Sequence, residues 1–67
     1  MSKLKEIRER KGLSQSQLVE KSGVGIKSIQ SYEQGLRDIN KTQALTLYKL
    51  ALALEVKMED LLELNDQ

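Results

Sequence analysis

Apolar residues recur at intervals of three and four along most of this chain, the spacing that places them on one face of an α-helix. Together with the helix start and stop signals, this pattern predicts five helices and no strand. The predicted helices cover about residues 3–11, 15–22, 26–34, 41–54 and 58–64, with residues 36–39 as a connecting loop. No proline interrupts them, and no linker or internal repeat divides the chain. We therefore expect a single all-α domain over residues 1–67.

The boundaries of the second and third helices carry the clearest local signals. Ser14 and Gln17 have the spacing of a capping box, in which each side chain bonds a backbone amide at the start of a helix. Gly23 and Gly35 stand where the two helices must end, and glycine enters the left-handed backbone region without steric penalty. Two short helices joined by a tight turn are therefore expected between residues 15 and 34.

This pair of helices has the spacing of a helix-turn-helix motif. The turn glycine, Gly23, follows Gln15 at the distance that the motif requires. The positions of buried type are Leu18, Val24, Ile29 and Tyr32. An ordinary helical hairpin of a small bundle has similar spacing, so spacing alone leaves DNA binding and simple packing as alternatives.

Composition argues against several kinds of chemistry. The chain has no cysteine and no histidine, so it lacks thiol nucleophiles, thiolate ligands, the usual zinc partner and the commonest general base. Its carboxylates are spread over charged helical faces, and no nucleophile is paired with a base. We therefore expect no enzymatic activity, no metal, no cofactor and no small-molecule ligand.

The apolar residues suffice for one small core. They make up 39% of the chain, and Tyr32 and Tyr48 are its only aromatic residues, so this core must be mostly aliphatic. The N-terminus lacks the apolar run of a signal peptide, and no segment is long enough to span a bilayer. We therefore expect a cytoplasmic protein without membrane contact.

The net charge of +1 conceals an uneven distribution of charge along the chain. Residues 1–41 contain nine Lys/Arg and five Asp/Glu, a balance of +4, whereas residues 42–67 contain two and five, a balance of −3. The basic half includes the helical pair and is suited to meeting phosphates. Ordinary solvated charge on helix surfaces is the alternative interpretation.

The fourth predicted helix is apolar on nearly every side. On a helical wheel, one stripe consists of Leu47, Leu50, Ala51 and Leu54, and a second stripe consists of Leu45, Tyr48 and Leu52. The first stripe is expected to fill the core of the domain, and the second is expected to bury a partner subunit. The alternative is a domain that surrounds this helix completely.

Four segments in order resemble the phage repressor and Cro-like helix-turn-helix proteins, also called the xenobiotic-response-element type. They are LKEIRERKGLSQSQL at 4–18, SGVG at 22–25, SIQSYEQG at 28–35 and LYKLALALEVKMEDLL at 47–62. The resemblance implies a compact five-helix, lambda-repressor-like DNA-binding domain. It also implies that the third helix enters the major groove, usually in a two-fold dimer that represses transcription.

Transferred residue by residue, the resemblance implies particular roles for this chain. The base-contacting positions are Ile26, Lys27, Gln30 and Ser31. The phosphate-contacting positions are Gln15, Gln34, Arg37 and Lys41. Arg8 and Glu33 correspond to an ion pair that fixes the third helix against the first. These roles are expectations from similarity and do not follow from the spacing.

Four positions depart from the pattern of the family, among them Ser22, which occupies a site that is often apolar. Ile26 stands where a polar base-reading side chain is common, and Val19 replaces a small alanine between the second and third helices. Glu55 stands where glycine or asparagine often ends the fourth helix, so a left-handed backbone there would cost roughly 1 kcal/mol.

The functional expectation is a homodimer that binds a pseudo-palindromic operator in double-stranded DNA and represses transcription. The alternative is an antitoxin or another protein-interaction module, which binds a partner protein and regulates its own operon.

Overall fold

The computed structural model describes residues 2–64, so the outermost residues of the predicted domain, 1 and 65–67, lie outside the described part. Within it, four α-helices and two 3-10 turns are present, and no strand. The helices are α1 (Lys3–Arg10), α2 (Gln15–Ser22), α3 (Ile26–Gln34) and α4 (Ala44–Leu54), and the 3-10 turns are Ile39–Lys41 and Met58–Leu61. The predicted all-α class and the bounds of α2 and α3 are confirmed, and α1 ends one residue before its predicted end.

The start and end of α2 form as their local signals predict. The Ser14 hydroxyl accepts a hydrogen bond from the Gln17 backbone N–H at 3.0 Å, and the Gln17 side chain accepts one from the Ser14 N–H at 2.8 Å. Both halves of the capping box are therefore present. Gly23 ends the helix in the left-handed conformation with φ 76°. After a turn of three residues, the chain starts α3 at Ile26.

The start of the fourth helix differs from its prediction. The fourth helix was predicted to begin at about residue 41, but Asn40 and Lys41 lie inside the Ile39–Lys41 turn, and α4 begins at Ala44 with Gln43 as its N-cap. The Asn40 side chain instead pairs with the backbone of Glu63, at 2.8 Å to its carbonyl and 2.7 Å from its N–H. Ile39, expected in a loop, is buried and ties this segment to the core.

The predicted fifth helix over 58–64 is wrong, because the structure forms only the short Met58–Leu61 turn there. Leu62 has an extended backbone, with φ −74° and ψ 143°, which ends the turn. The Glu63 backbone bonds Asn40 and so cannot continue a helix. Only four α-helices form among residues 2–64, and the five-helix count is corrected accordingly.

One aliphatic core joins all of these elements. Its buried hydrophobic residues are Leu4, Ile7, Leu18, Val24, Ile29, Tyr32, Ile39, Leu47, Leu50, Ala51, Leu54 and Leu61. The first predicted stripe of α4 is thus entirely buried. Val19 packs, partly buried, against this core. No helix among residues 2–64 has the length and apolarity needed to cross a membrane.

Candidate nucleic-acid interface

Helix α3 has a buried face and an exposed face. Ile29 and Tyr32 point into the core, whereas Lys27 and Gln34 on the opposite side are exposed. The flanking positions Ile26, Gln30 and Ser31 are exposed or partly exposed, with Ile26 38% accessible. The side chains predicted to contact bases therefore share one side of α3, directed away from the core.

A buried ion pair attaches α3 to α1. Arg8 Nε donates to Glu33 Oε2 at 2.7 Å, and a second guanidinium nitrogen donates to Glu33 Oε1 at 3.1 Å. Arg8 also donates to the Leu13 carbonyl at 2.7 Å. The Arg8 and Glu33 side chains are 9% and 3% exposed. The predicted contact between Arg8 and Glu33 is present, and its bidentate geometry fixes the orientation of both groups.

The ion pair with Glu33 also favours the charged form of Arg8. The hydrogen bond that Arg8 donates to Glu33 raises the pKa of the Arg8 guanidinium above its ordinary value, although burial opposes this change. Because the pKa of Arg8 is higher in the folded than in the unfolded protein, its contact with Glu33 contributes fully to folding stability below the ordinary arginine pKa. This contribution is lost only at still higher pH. Arg8 therefore remains a cation at any pH suited to DNA binding.

The Gln15 side chain, at the start of α2, forms hydrogen bonds with side chains of α3. Its Nε2 donates to Glu33 Oε1 at 3.0 Å, and its Oε1 accepts from Gln30 Nε2 at 3.5 Å. Gln15 is the first residue of α2, where backbone N–H groups at the start of a helix are directed outward. The structure therefore brings Gln15 and Gln30, predicted for different DNA contacts, into one hydrogen-bonded group.

A basic groove lies between α3 and the start of α4. We define this groove by the cations Arg37, Lys41 and Lys49 and the hydroxyl-bearing residues Ser28, Thr42 and Thr46, and no Asp or Glu of the described chain lines it. Arg37 is held beside α3, because its guanidinium lies 4.9 Å from the centre of the Tyr32 ring and donates to the Ser28 hydroxyl at 3.2 Å. This groove offers positive charge next to the exposed face of α3.

Two features of this region were not predicted from the sequence. Lys49 was not predicted as a site residue, because the fourth helix was interpreted only through its apolar stripes. Gln34 is exposed on α3 and lines a neighbouring depression together with Arg37, Asp38 and Glu63. Of the four predicted phosphate-contacting residues, Arg37 thus lies beside both Lys41 and Gln34, whereas Gln15 lines neither depression.

The second stripe of α4 is uncovered. Leu45, Tyr48 and Leu52 are 60%, 51% and 64% exposed. The alternative expectation, that the domain surrounds this helix completely, is therefore wrong for residues 2–64. A contiguous apolar surface on a folded domain is typical of a protein-protein contact.

Comparison with known protein families matches residues 2–67 to the family described as a helix-turn-helix domain. The capped α2, the turn at Gly23 and the exposed face of α3 are the features that define this class. The chain belongs to the helix-turn-helix family of DNA-binding domains, which are typically not enzymes. We found no significant match among curated proteins or among solved structures.

Proposed function

We propose that this protein is a sequence-specific transcriptional regulator of the phage repressor and Cro-like type, and that α3 reads double-stranded DNA in the major groove. The observation that carries the proposal is the exposed face of α3 lying beside the basic groove. A helix in the major groove needs side chains that reach base edges and flanking cations that meet the phosphates.

The base-reading roles follow from the chemistry of the exposed side chains. Lys27 donates to guanine O6 and N7, and Ile26 contacts a thymine methyl group. Ser31 is able to donate or accept, so it discriminates less strongly between bases. Gln30 lies one turn from Lys27 on the same side of α3.

The phosphate contacts are assigned to both sides of α3. Arg37 and Lys41 meet one stretch of backbone from the basic groove, together with Lys49. Gln15 contacts a phosphate through its backbone N–H at the start of α2, and Gln34 contributes from the end of α3. These contacts fix the position of the domain and carry no sequence information by themselves.

We further propose that two copies associate through the exposed residues Leu45, Tyr48 and Leu52. A two-fold dimer would place two α3 helices in successive major grooves about 34 Å apart on a pseudo-palindromic operator. Occupation of such a site blocks polymerase, so we assign a repressor role in the cytoplasm.

The experiment is selection of bound duplexes from a random pool, followed by binding measurements at several salt concentrations. We expect an enriched pseudo-palindrome and an affinity that falls with salt. Removing Lys41 or Lys49 should reduce the salt slope by about 1 without changing the enriched sequence. Recovery of random sequences only, from protein shown to be folded, would reject the proposal.

The exposed apolar stripe of α4 also supports a second candidate, an antitoxin or another module that binds a different protein. This alternative predicts a stable complex of two different chains, formed through Leu45, Tyr48 and Leu52. Co-expression with the product of a neighbouring gene, followed by purification and mass measurement, would detect such a complex.

A further inference from the structure

The 3-10 turn Ile39–Lys41 directs three consecutive side chains toward three different parts of the protein. A 3-10 helix has three residues per turn, so successive side chains are about 120° apart. Ile39 is buried in the core, and Asn40 bonds the backbone of Glu63. Lys41 lines the basic groove. The direction of Lys41 therefore depends on the contacts that its two neighbours in the turn make.

Asn40 makes a two-point contact with the backbone of Glu63. Its Nδ2 donates to the Glu63 carbonyl at 2.8 Å, and its Oδ1 accepts from the Glu63 N–H at 2.7 Å. A side-chain amide offers both a donor and an acceptor, and so it satisfies both polar groups of one backbone residue. Because two bonds fix orientation as well as distance, the turn is held at a defined angle to residues 62–64.

Glu63 is itself anchored to α1 and to the core. Its carboxylate accepts a hydrogen bond from the backbone N–H of Lys3, the first residue of α1, which has no partner within that helix. The positive end of the helix dipole favours a carboxylate at this place. Leu61 is buried, and Leu62 packs against the core. We call the hydrogen bonds of Glu63 with Asn40 and Lys3 the Asn40 clasp.

We propose that Asn40 is a positioning residue for DNA binding, which holds Lys41 in the basic groove through its contact with Glu63. This inference rests on the proposed function, because it requires Lys41 to meet a DNA phosphate. The clasp ends on α1, which the ion pair of Arg8 and Glu33 joins to α3. The backbone that carries Lys41 is therefore fixed relative to α3, and a fixed segment loses less conformational entropy on binding.

The test is the salt dependence of binding to a selected duplex, because the salt slope counts the phosphates that cations neutralise. Lys41→Gln should lower the slope by about 1. Asn40→Ala replaces one uncharged side chain with another, so a lower slope in this variant means that a cation has left its phosphate. We expect Asn40→Ala to lower the slope by roughly 0.5 to 1, and to have no further effect in the Lys41→Gln background.

Val56→Ala is the matched control for a loss of stability. Val56 is partly buried against the core and belongs neither to the clasp nor to the groove. Its truncation should lower the melting temperature and keep the wild-type salt slope. Melting temperatures of all variants establish that each one is folded.

A second readout needs no DNA. In the free wild-type protein, the Glu63 N–H is bonded to Asn40 Oδ1, so it should exchange slowly with solvent. In Asn40→Ala this N–H loses its acceptor and should exchange faster. Hydrogen exchange followed by NMR measures both rates.

Four results would overturn this inference. The first is a wild-type salt slope in Asn40→Ala, which would make any loss of affinity a direct effect of the Asn40 side chain. The second is a slope that Asn40→Ala lowers equally in the Lys41→Gln background. The others are a slope lowered as much by Val56→Ala and a Glu63 N–H that exchanges equally fast with and without Asn40. Failure of the proposed function looks different, because the folded wild type would then enrich no sequence at all.

Discussion

Arg8 and Glu33 connect the scaffold to α3, the helix that carries the proposed DNA-reading face. A buried ion pair often adds little net stability, since desolvation offsets much of the attraction, but removal of one partner leaves the other charge buried and alone. The pair, with side chains 9% and 3% exposed, therefore acts mainly by fixing the orientation of α3.

A double-mutant cycle on this pair tests the coupling. Arg8→Ala and Glu33→Ala should each destabilise the domain by about 3–5 kcal/mol, and the double variant should lose much less than the sum of both. Denaturant unfolding measures the three losses. Single-variant losses that simply add would refute the coupling.

Glu55 is the one non-glycine residue with a positive φ among residues 2–64, and its φ of 59° places the end of α4 in the left-handed region. Glu55→Gly should relieve roughly 1 kcal/mol of strain, equivalent to a melting temperature about 4–8 °C higher for a domain of this size. Lys57→Gly is the matched control, because Lys57 has an ordinary φ of −78° and glycine there should lower the melting temperature. An unchanged or lower value for Glu55→Gly would argue against strain at this position.

Lys27 is the exposed cation at the start of α3 and provides the clearest test of base reading. Lys27→Ala should cost about 1–3 kcal/mol of binding free energy at the selected site and much less on random DNA. Fluorescence anisotropy with both duplexes measures the two losses. Equal losses on the two duplexes would make Lys27 a phosphate contact.

At the scale of elements, prediction succeeded where the determining interactions are local. The capping box of Ser14 and Gln17 and the glycines at 23 and 35 lie within a few residues of the helix ends that they set. The predictions for the start of α4 and for a fifth helix were wrong, because the hydrogen bonds between Asn40 and Glu63 join positions 23 residues apart. No periodicity in the sequence reports such a contact.

The candidate nucleic-acid interface was likewise predictable only where the positions of its residues depend on local structure. Helical periodicity was enough to place Lys27 and Ser31 on the side of α3 opposite Ile29. It could not show that Gln15 turns toward Glu33, since that bond depends on how α1, α2 and α3 pack together. Lys49 was missed for the same reason, because it shares a groove with Arg37 only in the folded domain.

At the scale of the whole molecule, the basic groove and the uncovered apolar stripe are neighbours on α4. Lys49 of the groove lies four residues after Leu45 and three residues before Leu52 of the stripe. Neither surface includes the positions of α3 predicted to contact bases, so the proposed dimer would leave that face of α3 open, as a two-fold operator requires.

The proposed dimer is tested by Leu52→Lys, which places a charge in the apolar stripe. Leu52 is 64% exposed, so the variant should keep the stability of the monomer and lose self-association. Light scattering after size exclusion, at micromolar concentration, should give a dimer mass for the wild type and a monomer mass for the variant. A wild-type mass that is strictly monomeric would count against the interface.

The central claim is that the exposed face of α3 lies in the major groove. Intermolecular NOEs between the protein and a selected duplex measure this most directly. We predict NOEs from the Ile26 and Lys27 side chains to major-groove protons, including a thymine methyl group. NOEs to the duplex that arise only from α1 or from Leu45, Tyr48 and Leu52, with none from α3, would contradict the account.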